Sequence, residues 1–222
     1  MAFAILAACS SGSGGNKEIV KAALDQLRPG GGEDEAATAP APRLTRAAVE
    51  ASGAALLRVR LESEAGRSIM SAQAVNGGYA SYISQFGQSV TARGALITAS
   101  RGLGFDLLSV EADARADPLV TARPIEDWPT QVTRVYRFPG QGPEGLRLSV
   151  TCRYEPGDTL DIEIVEISHS GQQIVEVCVG DGVTFSNDLF ADSETGFVWR
   201  SLQWLGPEQG RLDVEVVEPL TP

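Results

Sequence analysis

A chain of 222 residues, 43% hydrophobic and with 24 glycines, has room for one large all-β domain with many turns. Its 18 basic residues against 29 acidic ones give a net charge of −11. That balance argues against nucleic acid and against electrostatic attraction to an anionic bilayer, because basic patches supply the affinity for both.

The first residues, MAFAILAACSSGSGG, join an uncharged apolar run to one cysteine and a string of serines and glycines. Leu6-Ala7-Ala8-Cys9 matches the lipobox of bacterial lipoprotein signals, in which small residues precede the cleavage point. The expectation is a cut before Cys9 and acylation of its thiol, with residues 1–8 a signal remnant. Each buried CH₂ of an acyl chain contributes ~0.8 kcal/mol, so several chains on one cysteine hold firmly where a single chain holds weakly. The basic n-region of a secretory leader is not in this sequence, whose first cation is Lys17. Ser10 and Ser11, by analogy with enterobacterial sorting, favour the outer membrane and a periplasm-facing protein.

Residues 9–43 read as a lipidated tether, a short helix and a linker. Residues 10–15 are flexible by composition. Asn16 caps a helix with Ile19, Val20, Ala23, Leu24 and Leu27 on one side and Pro29-Gly30 as its stop. PGGGEDEAATAPAPR (29–43) offers nothing to bury. A single β domain is expected over 44–222, opened by a second short helix with Thr45 as N-cap and Leu44 and Val49 placed for a hydrophobic staple.

From Ala54 the period changes to two. Leu57, Val59 and Leu61 alternate with Arg58, Arg60 and Glu62. Leu146 to Tyr154 alternates in the same way, as do Leu160 to Ile164 and Leu212 to Val216. The phase slips at Val165, as a bulge would make it slip. Turn signals separate the runs: Asn76-Gly77-Gly78, Pro139-Gly140-Gln141-Gly142, Glu155-Pro156-Gly157-Asp158, Gly180-Asp181-Gly182 and Leu205-Gly206-Pro207. The spacing predicts an all-β fold: a strongly curved antiparallel sheet, barrel or half-barrel, with short N-terminal helices.

No constellation for catalysis or metal binding emerges. His169, the single histidine, lies in SHSGQ, expected as a turn, and has no cysteine near it for a zinc set. NDLFADSETG (187–196) lacks the alternating oxygen ligands of a calcium loop and reads as a hairpin turn. RGLGFD lacks the strand-then-helix setting of a phosphate loop. Asp161/Glu163 and Asp213/Glu215 sit in the outward phase of their strands and read as solvated. Neither a cofactor nor a metal is expected. Cys152 and Cys178 would form a disulfide in an exported protein, worth roughly 3 kcal/mol by loop entropy. Cys152 is in phase with apolar residues, whereas Cys178 shares a face with Ile174 and Glu176, so either a bulge shifts the register or that face is covered too. Trp199 and Trp204 have opposite parity, which on one regular strand sends them to opposite faces.

NGGYASYISQFGQSVTARGALITASRGLGFDLLS (76–109) resembles the central segment of the YjbF/GfcB lipoproteins. ETGFVWRSLQWLGP (194–207) resembles their C-terminal signature. The resemblance covers most of residues 44–218, and the lipobox and the Cys152/Cys178 pair suit it. It implies an exported lipoprotein encoded with exopolysaccharide or group 4 capsule genes, a strongly curved β-barrel or half-barrel, and no established enzymatic activity. The expected role is a non-catalytic binding or scaffolding module for polysaccharide secretion or assembly. Its partners would be the membrane, through the lipid on Cys9, and polysaccharide export proteins or the polysaccharide. Arg101 and Asp106 in TASRGLGFDL, with Trp199, Arg200, Gln203 and Trp204, would form a structural junction or a recognition surface. Two rival readings make different demands. An acyl-chain carrier requires a continuous apolar concavity, and a polysaccharide-modifying enzyme requires working pairs among the strand carboxylates.

Overall fold

The structure, a computed structural model, describes residues 43–140 and 145–221. Cys9, the tether, the helix expected after Asn16 and nearly all of the linker lie outside them. The chain divides after Gly53 into two compact units. The described part of the first is helix α1 (Arg46–Ser52). Thr45 caps it by accepting the Ala48 N–H at 3.3 Å, and Gly53 ends it in the left-handed conformation with φ 58°.

The second unit is one antiparallel sheet. Its strands are β1 (Leu56–Leu61), β2 (Ser68–Asn76), β3 (Tyr79–Ser84), β4 (Ser89–Arg93), β5 (Leu96–Arg101), β6 (Ser109–Ala112), β7 (Gln131–Phe138), β8 (Leu146–Ile164), β9 (Ile167–Gly180), β10 (Val183–Ala191), β11 (Val198–Gly206) and β12 (Gly210–Glu218). The order β5-β4-β3-β2-β1-β12-β11-β10-β9-β8-β7-β6 is two meanders joined where β1 pairs with β12. The sheet curls until it is nearly a barrel, which brings its edges β5 and β6 together: the Ser100 N–H donates to the Leu107 carbonyl at 2.9 Å. The apolar phases of β1, the first half of β8 and β12 point inward as expected, and Leu57, Val59, Leu148, Val150, Leu212 and Val214 belong to one buried cluster. The run from Leu160 lies outside that cluster, with Leu160 exposed.

One end of the barrel carries the β5–β6 and β11–β12 connections and is filled with rings. Trp204 stacks on Phe185 at 4.1 Å, and Tyr136 and Phe138 meet Trp204 edge-on, each at 5.5 Å. The opposite end is covered by the segment between β6 and β7. Leu119 of that segment accepts the N–H groups of Ala95 and Leu96 at 2.7 and 3.2 Å. Two glycines permit the close approach: a Cβ on Gly94 would strike the carbonyls of Leu119 and Val120, and one on Gly196 the backbone of Arg123. Both have positive φ, 59° and 69°. The aromatics fill their end of the interior, while aliphatic and small side chains line the other.

Three local expectations change. Glu155-Pro156-Gly157-Asp158 is not a turn but a bulge inside β8, which runs unbroken for 19 residues. The reversal falls at Val165-Glu166 instead, both at positive φ (45° and 67°) in place of the expected bulge. A two-residue hairpin turn of this hand is usually Asn-Gly or Asp-Gly, so a valine there gives no turn signal. His169 accordingly lies within β9, opposite Ile162, rather than in a turn.

Replacing Gly196 by alanine combines backbone strain with a collision against Arg123. The expected loss in a urea melt is well over ~1 kcal/mol, whereas Gly66→Ala, where a Cβ meets nothing within 4 Å, should stay within about 0.5 kcal/mol of the parent.

Candidate functional site

The most heavily charged interior feature is a cluster around Arg134. This residue shares one phase of β7 with Val132, Tyr136 and Phe138, so the strand turns it into the core, where it is fully buried. Its Nε and Nη2 donate to Asp117 at 2.6 and 3.0 Å, and Nη1 donates to Glu176 Oε2 at 2.9 Å. Nη2 also reaches the Tyr154 hydroxyl at 3.0 Å. Glu176 Oε1 lies 2.8 Å from Nη2 without a hydrogen bond's alignment. The Asn187 amide donates to Glu176 at 2.6 Å, while its oxygen takes the Trp204 N–H at 2.7 Å. Burial alone would lower the Arg134 pKa, but the charges of Glu176 and Asp117 outweigh it and hold the guanidinium protonated. Burial pushes the Tyr136 hydroxyl up to about 12 and raises Tyr154 as well, so both stay neutral donors.

Beside this cluster, Cys152 and Cys178 stand directly opposite each other in the β8–β9 ladder and form a disulfide. Their phase conflict resolves as a covered face: Ile174, Glu176 and Cys178 are all buried, and Arg134 is what makes a carboxylate tolerable there. Among the described residues, Cys152, Glu176 and Cys178 form the one group with metal-ligand spacing, but both thiols are consumed in the bridge.

Arg101 and Asp106 do not pair with each other. Asp106 accepts from the Ser100 hydroxyl at 2.9 Å and from the N–H groups of Gly102 and Leu103 at 2.8 and 3.1 Å, organising the β5–β6 loop. Arg101 donates to the carbonyls of Ser100 and Leu107. Gln203 reaches from β11 to β5, where its oxygen takes the Ile97 N–H at 3.1 Å and its amide donates to the Ala95 carbonyl at 2.8 Å. Neither tryptophan sits on regular strand. Trp199 falls where the β10–β11 register slips, and its ring meets those of His169 and Phe197 at a tilt, with centroids 3.8 and 4.5 Å away. Trp204 joins the interior rings next to a second slip, against Gly206. The six residues named from the sequence are therefore spread over a loop, the interior and the outer surface.

Arg200 belongs to an outer seam that the sequence reading took as solvated. Asp213 and Glu215 on β12 are only 4% exposed. Arg200 grips Asp213 through two bonds of 3.0 and 2.9 Å, Arg60 approaches Asp213 at 3.4 Å, and Arg58 pairs with Glu215. Burial works to raise the Asp213 pKa, yet the Arg200 and Arg60 bonds leave it below the usual carboxylate value. The long β8–β9 hairpin leans over this seam. Between its Leu160 and Ile162 and the side chains of Arg60, Arg200, Asp188 and Phe190 lies a cleft of about 280 Å³. Asp161 and Glu163, by contrast, are exposed as expected.

Two outcomes follow. Arg134→Met should cost about 3–5 kcal/mol in a denaturant melt, because Asp117 and Glu176 would remain buried without a cation. Burial also lowers the His169 pKa below its ordinary 6.5. The neutral ring is the one favoured by folding, so its contribution is complete above pH 6.5 and is lost as pH falls through the lower folded value. Tryptophan emission should therefore titrate with a midpoint below 6.5, and His169→Gln should abolish that step.

The chain is similar in fold to a solved structure, the hypothetical lipoprotein YmcC from Escherichia coli (K12). The identity is 15% and the TM-score 0.73 over 96% of this chain and 100% of that one. No curated protein matches it. The family described as "Group 4 capsule polysaccharide lipoprotein gfcB, YjbF" matches residues 20–217. With nearly the whole β unit inside that match, the chain belongs to the YjbF family of capsule polysaccharide lipoproteins.

Proposed function

We propose that this lipoprotein serves capsule or exopolysaccharide secretion or assembly as a non-catalytic scaffolding module, held through acylated Cys9 at the outer membrane and facing the periplasm. The observation that carries the reading is the family match over residues 20–217. The lipobox Leu6-Ala7-Ala8-Cys9 supports the anchor. The scaffolding role is supported by what the reactive side chains do. Asp106, Arg101 and Gln203 bond backbone groups at the closing seam, Arg200 is paired with Asp213, and the His169 ring lies against Trp199. These residues act as structural junctions, and the partner is a polysaccharide export protein or the polysaccharide itself. The net charge of −11 suits neither nucleic acid nor an anionic lipid surface as a partner.

The test is deletion of the gene in its own bacterium, complementation with wild type or Cys9→Ala, and measurement of secreted polysaccharide. The expected result is loss on deletion, rescue by wild type and failure of Cys9→Ala. Unchanged polysaccharide on deletion would remove the pathway, and full rescue by Cys9→Ala would remove the anchor.

A further inference from the structure

The aromatic packing that fills one end of the barrel stops short of the other. Beneath the segment between β6 and β7 remains a partly enclosed cavity of about 250 Å³. Protein interiors are otherwise packed like organic crystals, with few voids larger than a water molecule. Leu57, Ile97, Leu119, Val198, Val214 and Val216 line it, and no charged side chain does. The space exists because β3 and β4 present small residues there: Ala80 and Ala92 face each other across the ladder, with Gly94 and Ala95 following. Its rim includes the turn glycines Gly78 and Gly196, and exposed Leu220 extends the apolar path outward.

Two hydroxyls border this space. That of Ser201 is occupied by the Gln203 amide at 2.8 Å. That of Tyr82 makes no hydrogen bond among the described residues, although the residue is only 5% exposed. Burial raises its pKa, so it is a protonated donor in an apolar wall. Facing the partly open cavity, this hydroxyl is available to donate to a ligand that carries one acceptor. A sugar would bring many polar groups into a wall that cannot pair them, and an anion would find no cation.

We infer that this cavity binds one fatty-acyl chain, its methylenes against Ala80, Ala92 and the aliphatic wall and its carbonyl oxygen accepting from Tyr82. An apolar cavity of ~150 Å³ already takes a ring the size of benzene, so the space is ample for a run of methylenes. The site stands independently of any role in polysaccharide export.

The test uses the full chain carrying Cys9→Ala, which cannot be acylated, titrated with 11-(dansylamino)undecanoic acid. Saturable one-to-one uptake is expected, displaced by straight-chain fatty acids whose affinity climbs about fourfold per added methylene until the cavity is full. Ala80→Leu and Ala92→Leu, which fill the space, should weaken uptake tenfold or more with circular dichroism unchanged. Ala122→Trp at the rim repeats the test without touching a strand. Tyr82→Phe should weaken it about fivefold. Displacement by decanoic acid and by a decanoyl lysophospholipid alike would assign the site to acyl chains whatever their head, and displacement by the acid alone to free fatty acids. No saturable uptake, or uptake indifferent to the filling variants, would overturn the site.

Discussion

A sheet of twelve strands that closes only by proximity has two edges, and each unpaired edge presents a row of bare N–H and carbonyl groups to any other strand. Here β5 and β6 meet at Ser100 and Leu107, but the ladder between them does not continue. What protects β5 is borrowed chemistry. The Gln203 amide serves as a substitute peptide group for Ala95 and Ile97, and the Leu119 carbonyl takes two further N–H groups. Asp106 then ties the short loop joining the two edge strands, so the seam is finished by side chains rather than by strand pairing.

The segment that supplies Leu119 is held by the interior charges. Asp117 takes the Leu119 N–H with one oxygen while bonding Arg134, so the position of the covering segment and the neutralisation of the core cation are one arrangement. Inside and outside, carboxylates survive burial by the same means: guanidinium forks that meet them with aligned donors. The outer seam adds a regular feature, since Arg58 stands opposite Glu215 and Arg60 opposite Asp213 in the β1–β12 register.

The all-β class, the alternation, the N-cap at Thr45 and most turns were legible because each has a local cause: period two, a side-chain cap, a glycine or proline. The family motifs were legible as resemblance. The EPGD stretch misled because Pro and Gly signal a bulge as readily as a turn, and Val165-Glu166 carried no signal at all. The interior ion cluster had a visible trace, Arg134 in phase with Val132, Tyr136 and Phe138, and Glu176 in phase with Ile174. Recognising the pair required knowing that β7 and β9 both flank β8, a non-local fact. The buried state of Asp213 and Glu215 was hidden likewise, because their cations come from strands distant in sequence. The small-residue cavity was not legible, since alanines on two strands mean nothing until the strands are paired.

The chain enters this unit at β1, and β1 is not an edge: β2 pairs on one side and β12 on the other. Tension applied through the N-terminal residues therefore cannot peel a single ladder open. It is shared by two ladders and by the cross-strand pairs of Arg58 and Arg60 with β12, so a pull on the N-terminal residues would load both ladders together.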